Sequence, residues 1–255
     1  DAEVLLSHAL ERDRTWLYTW GDREIGQSGQ ARFESLLVMR EAGHPVAYLI
    51  GEREFWGLSL RVGRATLIPR PDTECLVEAA LDRALQAQGY MLDLGTGTGA
   101  IALAFASERP GWQVTGVDRI VEAVELARDN GRRLGLDNAV FMYSDWFSAL
   151  AGRAYDLIVS NPPYLADDDP HLGQGDVRFE PPSALVATQH GLADLYHLVE
   201  ASLGYLTPDG WLLLEHGMTQ GEAVREALYR VGFEDVGTRL DLGGRPRVTC
   251  GRRPV

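Results

Sequence analysis

The segment "YMLDLGTGTGAIALAFA", residues 90–106, decides the fold. It begins as a short apolar run typical of a buried strand and ends as an apolar helical pattern. Between the two lie Gly95, Gly97 and Gly99, where the backbone is free to turn tightly and to approach a ligand without interference from a Cβ atom. In an open α/β sheet, ligands bind beyond the carboxyl ends of the strands, so this loop predicts a ligand site.

The chain downstream of this segment continues to alternate between strands and helices. Further strands are predicted at "QVTGVD", "AVFMYSD", "YDLIVS" and "GWLLLEHG", and helices at "VEAVELARDNGRRLG", near 192–204 and at "QGEAVREALYRVG". Apolar strands separated by amphipathic helices indicate an α/β fold with a parallel sheet covered on both faces. Two final strands around "GGRP" are joined by too little chain for a crossover, so they are predicted to pair antiparallel.

The chain upstream of the segment has a different character. "AEVLLSHALERD" and "ARFESLLVMREAG" carry apolar residues at helical spacing, and Gly43 is predicted to end the second helix. "REFWGLSLRVG" suggests a short hairpin, and Asp72 is a plausible N-cap for a long helix through "ECLVEAALDRALQAQ". We therefore expect a helical domain over 1–45, a hairpin and linker over 46–70, and an α/β domain over 71–255.

Composition limits the classes of function. The 255 residues carry a formal net charge of −13, which argues against free DNA or RNA as a direct partner. No stretch reaches the length of a membrane span, so no membrane association is expected. Cys75 and Cys250 are far apart and form no CxxC pair, so we expect no disulfide framework, no metal site and a reducing, cytoplasmic location.

An acidic residue at the end of the second strand supports binding of an adenosine cofactor. Asp118 follows Gly99 by 19 residues, the spacing of a carboxylate that binds ribose hydroxyls. The glycine loop alone fits either NAD or S-adenosylmethionine. Asp93, placed to face an ammonium group through water, favours S-adenosylmethionine, as do Asp145 and Trp146, placed to bracket an adenine.

The tetrapeptide "NPPY", residues 161–164, follows the strand expected beside the glycine-loop strand. A planar nitrogen is a weak nucleophile, and acceptors for its N–H groups must hold it in line for attack on a methyl group. We expect the Asn161 side-chain oxygen and the Pro162 carbonyl to be those acceptors. Pro163 completes a rigid diproline, and Tyr164 is expected to pack against the flat face of the substrate. The plainer alternative is a turn that ends a strand.

Taken together, "LDLGTGTGAIALAFA", "VSNPPY", "RFEPPSALVA" and "IPRPDTE" resemble the release factor glutamine methyltransferases of the HemK/PrmC type. The resemblance implies a class I, Rossmann-like methyltransferase with a seven-stranded mixed sheet and an N-terminal helical domain that recognises the substrate. It implies methylation of the glutamine N5 in the Gly-Gly-Gln motif of class I peptide chain release factors. S-adenosyl-L-methionine would bind at Gly95, Thr96, Gly97, Thr98, Gly99, Asp118, Asp145, Trp146 and Asn161. Residues Asn161, Pro162, Pro163 and Tyr164 would hold the glutamine of the substrate, and a cytoplasmic monomer is expected.

Other functions remain open at this point. A glutamine methyltransferase of a ribosomal protein would share "NPPY", and an adenine-N6 DNA methyltransferase uses a similar tetrapeptide. The acidic net charge and the lack of a basic recognition domain argue against the DNA enzyme. An NAD-dependent oxidoreductase and a non-catalytic adapter are further alternatives, and an intact "NPPY" argues against the adapter.

Overall fold

The structure is a computed structural model that describes residues 1–255. The chain begins with four helices, α1 (Ala2–Leu10), α2 (Arg14–Thr19), α3 (Gln27–Glu41) and α4 (Val46–Ile50). Leu5 and Ala9 of α1 are buried, and Asp13 caps α2 by accepting a 2.7 Å hydrogen bond from Trp16 N. The two predicted helices correspond to α1 and α3, while the short helices α2 and α4 lack the length that makes helical periodicity visible.

The predicted hairpin is confirmed as strands β1 (Glu52–Phe55) and β2 (Leu58–Arg61). Its two turn residues, Trp56 and Gly57, both have positive φ, as a tight two-residue hairpin turn requires. A 3-10 turn, Pro71–Thr73, then leads into α5 (Glu74–Leu81).

The predicted start and length of α5 were wrong. Asp72 lies inside the 3-10 turn and pairs with Arg247 at 3.3 Å, so it does not cap the helix. The helix ends at Leu81 instead of continuing to residue 88. Arg109 explains this end, because its guanidinium donates to the carbonyl oxygens of Leu81 and Ala84 and so satisfies acceptors that a longer helix would use.

A seven-stranded mixed sheet forms the centre of the molecule, as the sequence predicted. In chain order its strands are β3 (Gly89–Leu94), β4 (Trp112–Asp118), β5 (Ala139–Tyr143), β6 (Tyr155–Ser160), β7 (Leu206–Glu215), β8 (Glu234–Leu240) and β9 (Pro246–Arg252). Their spatial order is β5-β4-β3-β6-β7-β9-β8, and β9 is the one strand that runs opposite to the other six. The strand order reverses between β3 and β6, which makes the carboxyl ends of β3, β4 and β6 the expected ligand edge.

Helices cover both faces of the sheet. They are α6 (Ala100–Glu108), α7 (Val121–Leu134), the irregular turn α8 (Thr188–Gly191), α9 (Ala193–Ser202) and α10 (Gly221–Val231). Alternate residues of β3 enter different core clusters, Met91 on one side and Leu92 on the other, because side chains point to opposite faces along a strand. None of the helices is both long enough and apolar enough to cross a bilayer.

The segment between β6 and α8 passes close to the N-terminal helices. It contains 3-10 turns at Pro170–Gly173, Val177–Phe179 and Pro182–Ala184. Arg40 pairs with Asp176 at 3.2 Å, and the rings of His44 and Phe179 lie 4.5 Å apart. The helical region therefore contacts the segment that carries residues 180–184 to the ligand edge.

Candidate active site

A cavity opens at this edge of the sheet, at the place where an open α/β sheet binds its ligand. Eight of the nine residues predicted for the cofactor line it: Gly95, Thr96, Gly97, Thr98, Asp118, Asp145, Trp146 and Asn161. The sequence pattern therefore located one continuous site, although these residues are distributed over four segments of the chain.

Gly99 is the predicted cofactor residue that does not line the cavity. It begins α6 with a φ of 81°, and a Cβ atom there would lie 3.1–3.2 Å from Leu103, Ala127 and Phe141. The lack of a side chain at this position thus serves close packing between the loop, α7 and β5.

The glycine loop forms a cradle that side chains would fill. Gly95 and Gly97 have φ values of 71° and 54°, a left-handed conformation that favours glycine. A Cβ atom at Gly95 would lie 3.5 Å from the Trp146 ring. The backbone N–H groups of Gly95 and Thr96 both donate to the Val117 carbonyl at 2.9 Å, which fixes the loop against β4. This open, fixed backbone fits close approach by a cofactor.

Asp118 joins the loop to the end of β4. Its Oδ2 accepts a 3.0 Å hydrogen bond from Gly97 N, and its Oδ1 accepts a 2.9 Å bond from Ile120 N. Burial raises the pKa of Asp118, while these two N–H donors and Arg119 act to lower it. A carboxylate oxygen can accept two hydrogen bonds, and each oxygen of Asp118 accepts one within the protein. Each can therefore also accept a hydrogen bond from a ribose hydroxyl.

Asp93 lies beneath the loop instead of in the wall of the cavity. It is fully buried, and its Oδ2 accepts a 2.7 Å hydrogen bond from Thr96 Oγ1. Its Oδ1 has no hydrogen-bond partner within the protein, and burial raises its pKa to about 7. The contact that the structure gives Asp93 is with the loop itself, whose shape it holds.

Trp146 occupies a strained turn after β5, with a φ of 47°. Ser144 Oγ holds this turn, because it donates to the Trp146 carbonyl at 2.7 Å and accepts from Ala149 N at 3.1 Å. Asp145 N donates to Ser148 Oγ at 3.1 Å. The strain is thus compensated locally, and it presents the indole ring beside Gly95 in the cavity wall.

Only half of the "NPPY" tetrapeptide faces the cavity. Asn161 and Pro163 line it, and Pro162 and Tyr164 do not. Asn161 Nδ2 donates a 3.3 Å hydrogen bond to Thr73 Oγ1. Tyr164 turns away, and its hydroxyl lies 3.4 Å from Oε1 of the buried Glu215. Tyr164 was predicted to contact the flat face of the substrate. This contact remains a prediction, and Tyr164 does not lie in the cavity wall.

Two further segments line the cavity, and the sequence analysis assigned them no role. They contribute Ala65, Thr66, Leu67, Pro69, Arg70 and Thr73 from one segment, and Ser183 and Ala184 from the other. Glu180 ties them together, because its carboxylate accepts from Ile68 N at 2.9 Å and pairs with Arg70. The motifs "IPRPDTE" and "RFEPPSALVA" contain most of these residues. The sequence analysis used both motifs to identify the family resemblance but did not assign their residues to the site. No cluster of three or more His, Cys, Asp or Glu side chains forms a metal site.

Comparisons with known proteins agree with this geometry. A family model for the PrmC N-terminal domain matches residues 1–51, and one for the methyltransferase small domain matches 71–175. The release factor glutamine methyltransferase of Vibrio cholerae is 55% identical over 99% of this chain and 88% of its own length. The Escherichia coli K12 enzyme is 53% identical over 99% of this chain and 91% of its own length. The Xylella fastidiosa (strain 9a5c) enzyme is 51% identical over 100% of this chain and 93% of its own length.

Solved structures support the fold at lower identity. A methyltransferase from Pyrococcus furiosus superposes with a TM-score of 0.61 at 18% identity, over 87% of this chain and 98% of its own. The Thermus thermophilus 16S rRNA N2 G1207 methyltransferase, solved with AdoMet and guanosine, superposes with a TM-score of 0.56 at 20% identity, over 79% of this chain and 49% of its own. The fold is thus that of a class I methyltransferase, and the full-length identities show that the chain belongs to the release factor glutamine methyltransferase family.

Proposed function

We propose that this protein transfers a methyl group from S-adenosyl-L-methionine to N5 of the glutamine in the Gly-Gly-Gln motif of class I peptide chain release factors. The observation that carries the proposal is the position of Asn161, which lines the same cavity as the glycine loop and Asp118. An acceptor for an amide N–H is thereby placed beside a cofactor cradle. Membership of the family supplies the class of substrate.

The cofactor residues divide the cavity into three parts. The loop from Gly95 to Gly99 would hold the methionine portion, Asp118 would accept the ribose hydroxyls, and Asp145 with Trp146 would flank the adenine. The hydrogen bonds from Gly97 N and Ile120 N to Asp118 support this division, since they aim the carboxylate from a fixed position. When bound, S-adenosyl-L-methionine supplies an electrophilic methyl group on a sulfonium centre.

Asn161 and Pro162 act on the amide nitrogen of the substrate. The Asn161 side-chain oxygen accepts one of its N–H groups, which orients the nitrogen for attack and stabilises the positive charge that develops on it. The second acceptor is the Pro162 carbonyl, and since the ring of Pro162 does not line the cavity, it contributes through this backbone group alone. The charge that develops on the substrate nitrogen makes its N–H acidic, and the proton would pass to water. No general base is needed before attack, so an amide such as Asn161 is sufficient.

The N-terminal helices recognise the body of the release factor. We assign residues 1–45 to this domain, 46–70 to the hairpin and linker, and 71–255 to the methyltransferase domain. Support comes from the packing of Arg40 and His44 against Asp176 and Phe179, which places the helices beside the segment leading to the cavity. A single glutamine offers too little surface for recognition of a whole protein. The enzyme acts as a cytoplasmic monomer without direct contact to nucleic acid, in keeping with its net charge of −13.

A methyl-transfer assay with peptide mapping tests the function. The protein is incubated with methyl-labelled cofactor and a purified class I release factor, and the label is located by mass spectrometry. Label on the glutamine of Gly-Gly-Gln is the expected result, and a release factor with that glutamine changed to alanine is the matched control. Label on a ribosomal protein or on adenine in DNA, with none on the release factor, would overturn the proposal.

A separate experiment tests the helical domain. A chain that begins at residue 46 is expected to bind the cofactor with nearly unchanged affinity and to methylate the whole release factor much more slowly. A short Gly-Gly-Gln peptide serves as the control substrate, since it has no body for the helices to recognise. Unchanged activity on the whole release factor would contradict this role.

A further inference from the structure

The side chain of Asn130 joins two walls of the cavity, although Asn130 does not line the cavity itself. It lies in α7 and is 1% exposed. Its Nδ2 donates to the Thr98 carbonyl of the glycine loop at 2.9 Å and to the Arg61 carbonyl of β2 at 3.0 Å. Its Oδ1 accepts a 2.8 Å hydrogen bond from Arg61 N.

We propose that Asn130 is a positioning residue that sets the shape of the glycine loop and couples it to the hairpin of β1 and β2. Cofactor binding at the loop is thereby transmitted to the hairpin. The inference rests on the part of the proposed function that places the cofactor against the glycine loop, and it does not depend on the identity of the methyl acceptor.

Close packing of α7 brings Asn130 within reach of the loop. A Cβ atom at Gly131 would lie 3.3 Å from the Phe141 ring, and one at Gly99 would lie 3.2 Å from the same ring. Because neither residue has a side chain, α7 closely approaches the start of α6. The carbonyl of Thr98, directly before Gly99, meets the Asn130 amide across this contact.

Asn130 anchors the second half of the glycine loop. The first half is fixed to β4 through the Val117 carbonyl and the Asp118 carboxylate. The second half ends at Thr98, which is 3% exposed and whose carbonyl accepts no backbone N–H. A buried carbonyl needs a hydrogen-bond partner, and Asn130 Nδ2 is that partner. This bond fixes the plane of the peptide after Thr98, and with it the backbone in the cavity wall.

Toward the hairpin, Asn130 takes the place of a neighbouring strand. Arg61 ends β2, which pairs only with β1, so the outer edge of β2 has no strand beside it. An edge strand leaves N–H and C=O groups unpaired, and Asn130 bonds both of these groups in Arg61. Ala65, four residues later, is the first residue of the cavity wall formed by this segment. The two walls of the cavity therefore meet at one amide.

Docking of the hairpin on α7 does not by itself account for this arrangement. The Arg61 guanidinium already ties the hairpin to α7, because it pairs with Asp129 at 2.6 Å on the surface. Asn130 holds the glycine loop as well, and its amide cannot be turned around without placing donor against donor and acceptor against acceptor. A loop that is ordered by a ligand therefore orders the hairpin too, and by linkage the hairpin affects ligand affinity.

Calorimetry with S-adenosyl-L-methionine tests the positioning role. Asn130→Ala leaves the buried Thr98 carbonyl without a partner, so the cofactor Kd is expected to rise about tenfold. Asp129→Ala removes the surface pair with Arg61 but keeps the bond to the loop, so its Kd should stay within about threefold. The matched control is Asn138→Ala, which removes an amide that donates to three backbone carbonyls outside the cavity and should also leave the Kd within about threefold. Each variant is measured at a temperature at which thermal unfolding shows it to be folded.

Hydrogen exchange followed by mass spectrometry tests the coupling, and its first measurement needs only the wild type. Residues 52–61 of the hairpin do not line the cavity, so a cofactor bound there does not contact them. We expect the cofactor to slow exchange in this hairpin in the wild type. This protection should be lost in Asn130→Ala and kept in Asp129→Ala.

Three results would each overturn the inference. They are a hairpin whose exchange in the wild type does not respond to the cofactor, an unchanged Kd in Asn130→Ala, and a rise in Kd in Asn138→Ala equal to that in Asn130→Ala. No release factor is present in either measurement. A wild-type protein that shows the expected protection but fails to methylate the release factor would therefore overturn only the proposed substrate.

Discussion

Gly97 N donates a 3.0 Å hydrogen bond to Asp118 Oδ2, which joins the glycine loop to the end of the next strand. The same carboxylate accepts from Ile120 N through its other oxygen, at 2.9 Å. One side chain thus holds two backbone segments in place and still has lone pairs directed at the cavity. The shape of the glycine loop consequently depends on the same carboxylate that we propose to bind the ribose.

Asp118→Ala is expected to weaken cofactor binding strongly. It removes the acceptor for the ribose hydroxyls, and charge-assisted hydrogen bonds of this kind contribute roughly 1.5–3 kcal/mol each. The Kd for S-adenosyl-L-methionine should rise at least about tenfold by calorimetry. Asp118→Asn keeps the size of the side chain and one acceptor oxygen, so its Kd should lie between those of the wild type and Asp118→Ala. An unchanged Kd in Asp118→Ala would place the ribose elsewhere.

Trp146→Ala is expected to weaken cofactor binding through the adenine. Stacking of a base on an aromatic ring contributes about 1–3 kcal/mol, so the Kd should rise by about tenfold or more. Trp146→Phe preserves a stacking surface and should retain most of the affinity. Trp20→Ala, a partly exposed tryptophan of the helical region, is the control and should leave the Kd unchanged. Equal affinity for wild type and Trp146→Ala would remove the ring from the adenine site.

Asn161→Ala is expected to reduce turnover far more than cofactor affinity. Removal of one preorganised polar partner of a transition state lowers kcat by about 10²–10³-fold, which corresponds to about 3–4 kcal/mol of barrier. The release factor is the substrate, and cofactor binding is measured in parallel to show that the variant is folded. Near wild-type turnover would return "NPPY" to the status of a turn that ends a strand.

Asn161→Asp is the informative companion to this variant. It keeps an acceptor oxygen but adds a negative charge beside the substrate, and its second oxygen has no hydrogen to donate to Thr73. The Thr73 hydroxyl, which accepts a 3.3 Å hydrogen bond from Asn161 Nδ2 in the wild type, then faces an acceptor in place of that donor. We expect turnover to be lower than in the wild type although an acceptor is still present, which would show that the orientation of the group matters as well as its oxygen.

The sequence predicted the sheet and most of the residues that line the cavity because local patterns encode both. Strands such as "YDLIVS" are short apolar runs, and the glycine loop needs positive φ values that side chains disfavour. The end of α5 was not predictable in this way, because it depends on Arg109, which follows α6 and lies 28 residues after Leu81 in the sequence. No local signal marks such a long-range cap.

The same distinction separates the predicted from the missed site residues. Asp118 lies at a fixed spacing from the glycine loop, so a pattern identifies it. Thr73 reaches Asn161 only through the placement of α5 beside the end of β6, which is a tertiary fact. Tyr164 was expected to pack against the flat face of the substrate group. Beyond the strand end, the side chain of Tyr164 turns into the core, where it meets Glu215.

The last prediction concerns the stability of the protein when Glu215 is neutralised. Burial raises the pKa of Glu215 from 4.5 to about 7, against the lowering effects of the Thr73 and Tyr164 hydroxyls and Arg247, while Asp72 raises it further. The folded protein therefore binds this proton more tightly than the unfolded chain does. The resulting contribution to stability is fully present below pH 4.5 and is lost as the pH rises through about 7.

Glu215→Gln removes this dependence because a glutamine does not ionise. Relative to the wild type, the unfolding free energy of the variant should increase between pH 5 and pH 9, by at most about 3 kcal/mol. Urea denaturation of both proteins across this range measures the difference. Asp93, whose pKa is also raised to about 7, is common to both and cancels. Parallel pH curves would show that Glu215 does not carry a buried charge.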